Sequence, residues 1–175
     1  MPDSFGDRLL FLAIGAVATW LLQQYRIARN EDTVLINEHI KDIEKFRDAV
    51  QEFWLNLPED QSGAEAAVAK VRAAHSATTF VYAQMIDICG ELCDEYRKLS
   101  IELFDVSTGE NFESPRNAID PLRAIEAHDA AARLIHLLRK ARKDVLSLSR
   151  LGKYGIDFKS EINSLEPRST GDDAK

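Results

Sequence analysis

The pattern of apolar and polar positions changes character once along this chain. From Leu9 to Tyr25 (LLFLAIGAVATWLLQQY) there is no charge, and Arg8 and Arg26 bracket the run. Beyond it, apolar residues recur at alternating steps of three and four, the mark of amphipathic helices with one buried stripe. The pattern predicts an all-α fold in which a single N-terminal transmembrane helix continues into a cytoplasmic antiparallel helical bundle. Residues 1–25 form the anchor, 26–33 a polar neck, 34–165 the bundle and 166–175 a disordered tail.

The elements follow from the same spacing. The first helix runs from the apolar segment towards Leu57, where Pro58 stops it; its later half carries Ile36, Ile40, Ile43, Val50, Trp54 and Leu57. Residues 26–33 (RIARNEDT) are polar nearly all round, as a solvated neck or hinge would be. The second helix opens on Ser62-Gly63-Ala64-Glu65, a capping box. Its stripe of Val68, Val71, His75, Thr78, Tyr82, Met85, Cys89, Leu92, Tyr96, Leu99 and Leu103 continues without a slip to Ser107-Thr108-Gly109. Some forty residues of helix would span roughly 60 Å at about 1.5 Å per residue. That outruns its partners, so the seam must be covered by a kink at Gly90, by the C-terminal segment or by another copy. Asp120-Pro121 supplies an N-cap and a first-turn proline for a third helix, with Gly152 as its stop and a short helix over 157–165.

The apolar run sets the expected location. Seventeen residues give roughly 25 Å of helix, short of the roughly 30 Å hydrocarbon core. Such a helix must thin the bilayer, snorkel its arginines or self-associate. Trp20 and Tyr25 stand where amphipathic rings prefer the interface, and Arg26 and Arg29 on that flank put the larger domain in the cytoplasm, at the inner membrane. Two other readings are a cleaved signal peptide ending near Ala16-Val17-Ala18 and a buried core helix. The first is disfavoured by Asp3 and Asp7 in place of a basic cluster.

Composition narrows the classes. A formal charge of −7 argues against bulk, sequence-independent nucleic-acid binding. Two cysteines, Cys89 and Cys93, make no disulfide framework and read as buried thiols in a reducing compartment. No metal site and no cofactor is expected. Gly15 and Thr19 form a small-xxx-small patch that lets helices approach. With Val71, Tyr82, Met85, Leu92 and Tyr96 on the long seam, it predicts a homo-oligomer. Arg26 and Arg29, and Arg139, Lys140 and Lys143 within a basic run that also holds Arg133 and Arg142, are candidate contacts for phosphate or anionic lipid.

One spacing points to catalysis. Arg123-Ala-Ile-Glu-Ala-His128, at the start of a late helix, resembles the signature of HEPN ribonucleases. In that family the arginine holds the scissile phosphate, the histidine assists proton transfer and a second copy completes the site. The physics agrees: Arg123 lies in the first turn after Pro121, where free N–H groups favour a phosphate, and histidine serves as acid or base near neutrality. Taken whole, the short apolar helix, polar neck, helical bundle and Arg123/His128 pair resemble the small membrane accessory proteins of type VI-B CRISPR systems. That resemblance implies an oligomeric membrane pore acting in antiviral defence beside an RNA-guided nuclease.

Three functions follow as expectations. The first is a membrane-anchored, self-associating helical protein that acts by assembly, membrane perturbation or recruitment of a protein or RNA partner. The second is a membrane-tethered HEPN-like ribonuclease using Arg123 and His128. The third is a passive scaffold or tether.

Overall fold

A computed structural model of the chain describes residues 5–58, 60–109, 112 and 118–145. Among them every regular element is helical: α1 (Phe5–Leu55), α2 (Gln61–Phe80), α3 (Tyr82–Cys89), a 3₁₀ turn over Gly90–Leu92, α4 (Cys93–Thr108) and α5 (Pro121–Val145). The chain divides into two compact units, one of Asn30–Ser147 and one that holds Met1–Arg29. The expected short helix over 157–165, the Gly152 stop and the tail lie outside the described residues.

In the N-terminal unit Leu9, Phe11, Leu12, Ile14, Val17, Trp20 and Leu22 are 51 to 73 % exposed. At about 100° per residue these seven positions fall all around the helix rather than along one stripe. No helix among the described residues is long and apolar enough to cross a membrane. The cause is local: Gln23, Gln24 and Arg26 close the run, and Leu9–Leu22 alone gives roughly 21 Å at about 1.5 Å per residue. The expectation of a full span is not supported: α1 is long, but its apolar stretch is short.

The second unit is an up-down-up-down bundle, and its cross-links give the directions. Arg142 Nη1 donates to Asn37 Oδ1 at 2.6 Å and Gln51 lies 3.3 Å from His128 Nδ1, so α5 runs antiparallel to α1. His39 pairs with Tyr96, and Trp54 with Ser107, so α4 runs parallel to α1. Phe46 packs on His75 and Lys70 pairs with Glu52, which sets α2 antiparallel to α1. The core stripe of α1 is Ile36, Ile40, Ile43, Phe46, Val50, Phe53 and Trp54, all buried. Each such side chain contributes about 1.5–3 kcal/mol on burial.

The single forty-residue rod expected after Pro58 is not formed. Tyr82 and Tyr96 have ring centroids 5.5 Å apart, and His75 and Phe104 4.5 Å apart. On a straight helix those pairs would stand roughly 21 Å and 43 Å apart at about 1.5 Å per residue. The rod is a hairpin. It breaks first at Val81 (φ −98°, ψ 10°) and then at Gly90, whose φ of +56° and ψ of −114° L side chains rarely adopt. The seam therefore covers itself, by the Gly90 route.

The helix starts differ in one detail. α2 is capped by Asp60, whose Oδ1 accepts from Gly63 N at 2.7 Å. Ser62 therefore sits inside the first turn, and the expected Ser62–Glu65 capping box is not used. α5 starts as expected: Asp120 Oδ1 accepts from Arg123 N at 3.0 Å, with Pro121 next in line.

Candidate functional site

The Arg123/His128 pair lies against the last turns of α1. Asp120 caps α5 and also holds the Arg123 guanidinium, Nε to Oδ2 at 3.6 Å. The guanidinium carbon stands 5.0 Å from the centroid of the Trp54 ring. Trp54 is a junction. Its indole N–H donates to Ser107 O at 2.8 Å, and its own carbonyl accepts from Asp120 N at 2.9 Å. Both acceptors belong to C-terminal turns, of α4 and α1, whose last carbonyls have no partner within their helix. One tryptophan thus ties together two helix ends and the start of a third.

Gly109 completes the junction. Its φ is +56°, and a Cβ built there would lie 1.2 Å from Arg123 Nη1. The glycine leaves room for the guanidinium to lie over the α4 terminus. Arg123 is thus a half-buried packing residue with an aromatic face, a carboxylate and a helix end around it. To hold a phosphate it would have to leave them.

His128 is exposed, and its Nδ1 faces the Gln51 amide. The antiparallel crossing lets α1 span the pair. A step back from Trp54 to Gln51 covers roughly 4.5 Å, and a step forward from Arg123 to His128 roughly 7.5 Å, at about 1.5 Å per residue. The two side chains reach the same stretch of α1, at different partners.

The expected oligomerisation residues separate into two groups. Val71, Met85 and Tyr96 are buried in the chain's own core, and Tyr82 and Leu92 pack against it. Within the single chain the hairpin supplies partners for these side chains from its own helices. Gly15 and Thr19 stay exposed, with nothing within 4 Å of a Cβ built at Gly15 and Thr19 Oγ1 donating to Gly15 O at 2.8 Å.

Of the cations, Arg26, Arg139, Lys140 and Lys143 are exposed. The Arg29 guanidinium sits 5.8 Å from the Tyr25 ring centroid. The basic run is partly structural: Arg133 bridges to Glu102 at 2.6 Å and Arg142 is taken by Asn37. Cys89 is buried and Cys93 half-buried, neither in a disulfide, and no group of three metal-ligating residues forms among the described residues.

What the sequence pattern missed is His39. It is buried, and its Nε2 shares a hydrogen bond with Tyr96 Oη at 3.0 Å. Burial lowers its pKa to about 4 against a small raising effect of Asp42, and burial likewise pushes the Tyr96 phenol up. The signal was present: His39 lies in register with Ile36, Ile43 and Phe46. His75 is half-buried between Phe46 and Phe104, and burial lowers its pKa too. No family model, curated protein or solved structure matches the chain.

Proposed function

We propose that this chain is a membrane-associated, self-associating helical protein, whose short apolar helix enters the cytoplasmic face of the inner membrane and whose bundle faces the cytoplasm. The observation that carries this reading is the ring of large apolar side chains between Leu9 and Leu22, exposed at all azimuths. A one-sided stripe could be covered by a single neighbouring helix. A full ring needs a surrounding medium or several neighbours at once, and at about 25 cal/mol per Å² its exposure to water is costly. The run is shorter than the hydrocarbon core, so local thinning or assembly must make up the difference. Gly15 and Thr19 offer the close-approach patch for assembly. On the bundle, Leu122 and Ile125 stay exposed on successive turns of α5, at 66 % and 58 %.

A place in antiviral defence rests on the architecture alone: apolar helix, polar neck and helical bundle. Arg123 is engaged by Trp54 and Asp120, so the ribonuclease reading has no observation of its own beyond the spacing.

The test is fractionation of the full chain after an alkaline wash, with mass measurement in mild detergent. The expected result is a membrane pellet and a mass above one chain, with Leu12→Arg/Val17→Arg released to the supernatant. A wild-type chain that is washed off the membrane, or is a strict monomer, overturns it. Replacing residues 1–25 by an unrelated spanning helix separates assembly from passive tethering: a tether keeps its activity, whereas an assembly built on Gly15 and Thr19 loses it.

A further inference from the structure

The bundle holds a cavity of about 230 Å³ between α1, α2 and α4, with Leu134 of α5 at its floor. An apolar void of about 150 Å³ is enough to admit benzene, so this one has room for roughly nine or ten non-hydrogen atoms. Its walls are aromatic. Phe46, His75 and Phe104 form one stack, with centroids 5.4 and 4.5 Å apart, and Tyr82 and Tyr96 form another at 5.5 Å. Among the described residues no Lys, Arg, Asp or Glu lines it.

The polar groups in the wall are few and mostly committed. Thr78 and Thr79 donate to His75 O and Ser76 O, and Ser100 donates to Tyr96 O, each within its own helix. His39 is the exception. It is 2 % exposed, its Nε2 is held by Tyr96, and its Nδ1 has no hydrogen-bond partner. That nitrogen is closed off from the open space of the cavity, so it is a cost of the fold, about 1–3 kcal/mol, rather than a handle for a ligand. Ile101, also in the wall, is 60 % exposed, which places it at the mouth.

We propose that this cavity is a binding site for a neutral, planar aromatic ligand of one or two rings, held by the aromatic side chains of its wall. Flat aromatic walls favour a flat ligand through offset and edge-to-face contacts. The absence of charge in the wall excludes an anion or cation, which would lose its hydration with nothing to replace it. The site is independent of the Arg123 junction and of the apolar stretch Leu9–Leu22.

The probe is indole, with benzoate as a charged molecule of the same heavy-atom count. The full chain, labelled at the histidine rings, is titrated in mild detergent while the His39 and His75 resonances are followed. Indole should shift both saturably, and benzoate should bind at least about tenfold more weakly. Ile101→Trp, at an exposed position, should block the mouth and weaken indole about tenfold with helicity unchanged. Three results would each overturn the proposal: no saturable shift up to about 1 mM, benzoate binding as well as indole, or indole shifts unaffected by Ile101→Trp. Partition of indole into detergent is distinguished by its indifference to the variants.

Discussion

His39 gives the bundle a calculable sensitivity to acid. In the folded chain burial holds its pKa near 4, while in the unfolded chain it returns to the ordinary 6.5. Below pH 6.5 the unfolded state therefore takes up a proton that the folded state refuses. The stability that neutral His39 contributes is present above pH 6.5 and is lost as pH falls towards 4. Between pH 7 and 4.5 this loss amounts to about 2 kcal/mol, out of a full difference of about 3 kcal/mol. The perturbation is His39→Gln, which keeps an amide near the position of Nε2 for Tyr96 and does not titrate. Urea unfolding of the full chain is followed by near-ultraviolet tyrosine signals at both pH values. Wild type should lose about 2 kcal/mol more than the variant on acidification. His75, which burial also lowers, is common to both proteins and cancels. Equal acid sensitivity of the two, or a His39 ring that titrates near 6.5 in the folded chain, would refute the assignment of His39 to the interior.

The Trp54 junction yields the other predictions. Gly109→Ala should cost about 2–3 kcal/mol in urea unfolding, because both φ and the Arg123 guanidinium stand against a Cβ; a loss below about 0.5 kcal/mol would show that neither constraint holds. Trp54→Phe keeps the ring but leaves Ser107 O without its donor, and should cost about 1–2 kcal/mol. Arg123→Ala should cost about 1 kcal/mol, and Arg123→Lys should recover little of it, since an ammonium lacks the planar face that lies on Trp54. Ser107→Ala acts in the opposite direction: the hydroxyl is buried with no hydrogen-bond partner, so its removal should raise stability by about 1 kcal/mol, read from the urea midpoint.

The helical class and the α5 start were legible because they depend on local chemistry. A stripe at three-four spacing, Pro58 after a helix and Asp120-Pro121 before one act within a turn or two of the residues that encode them. The hairpin was less legible. The stripe from Val68 to Leu103 keeps its phase through Val81 and Gly90, so periodicity alone reads one rod. The reversal is encoded by a single glycine and by the need to bury Tyr82, Met85 and Tyr96, which is a property of the whole bundle. The capping box failed for a smaller reason of the same kind. Asp60 and Ser62 are both good caps, and the turn after Pro58 decides between them.

The candidate site was legible as a spacing but not as a role. Arg123 and His128 are five apart whether they hold phosphate or hold the fold together. What decides is the partner across the helix pair, and Trp54 lies nearly seventy positions earlier in the chain. His39 shows the reverse case. Its register was visible, yet its partner Tyr96 is fifty-seven positions away, and nothing local marks the pair.

The proposed self-association also changes its physical basis once the hairpin is known. A rod roughly 60 Å long at about 1.5 Å per residue would have demanded partners along the bundle, and Val71, Met85 and Tyr96 would have met them. In the folded chain those side chains are already covered. The largest unmet apolar demand among the described residues is instead the ring between Leu9 and Leu22. Contacts between copies that begin there, inside or against lipid, cost the bundle nothing, because no buried side chain has to leave the core. Contacts that began at the old seam would first have to open the α2–α4 hairpin and expose Tyr82, Met85 and Tyr96 to water. Assembly through the N-terminal helix is therefore the route that the energetics of this fold favours.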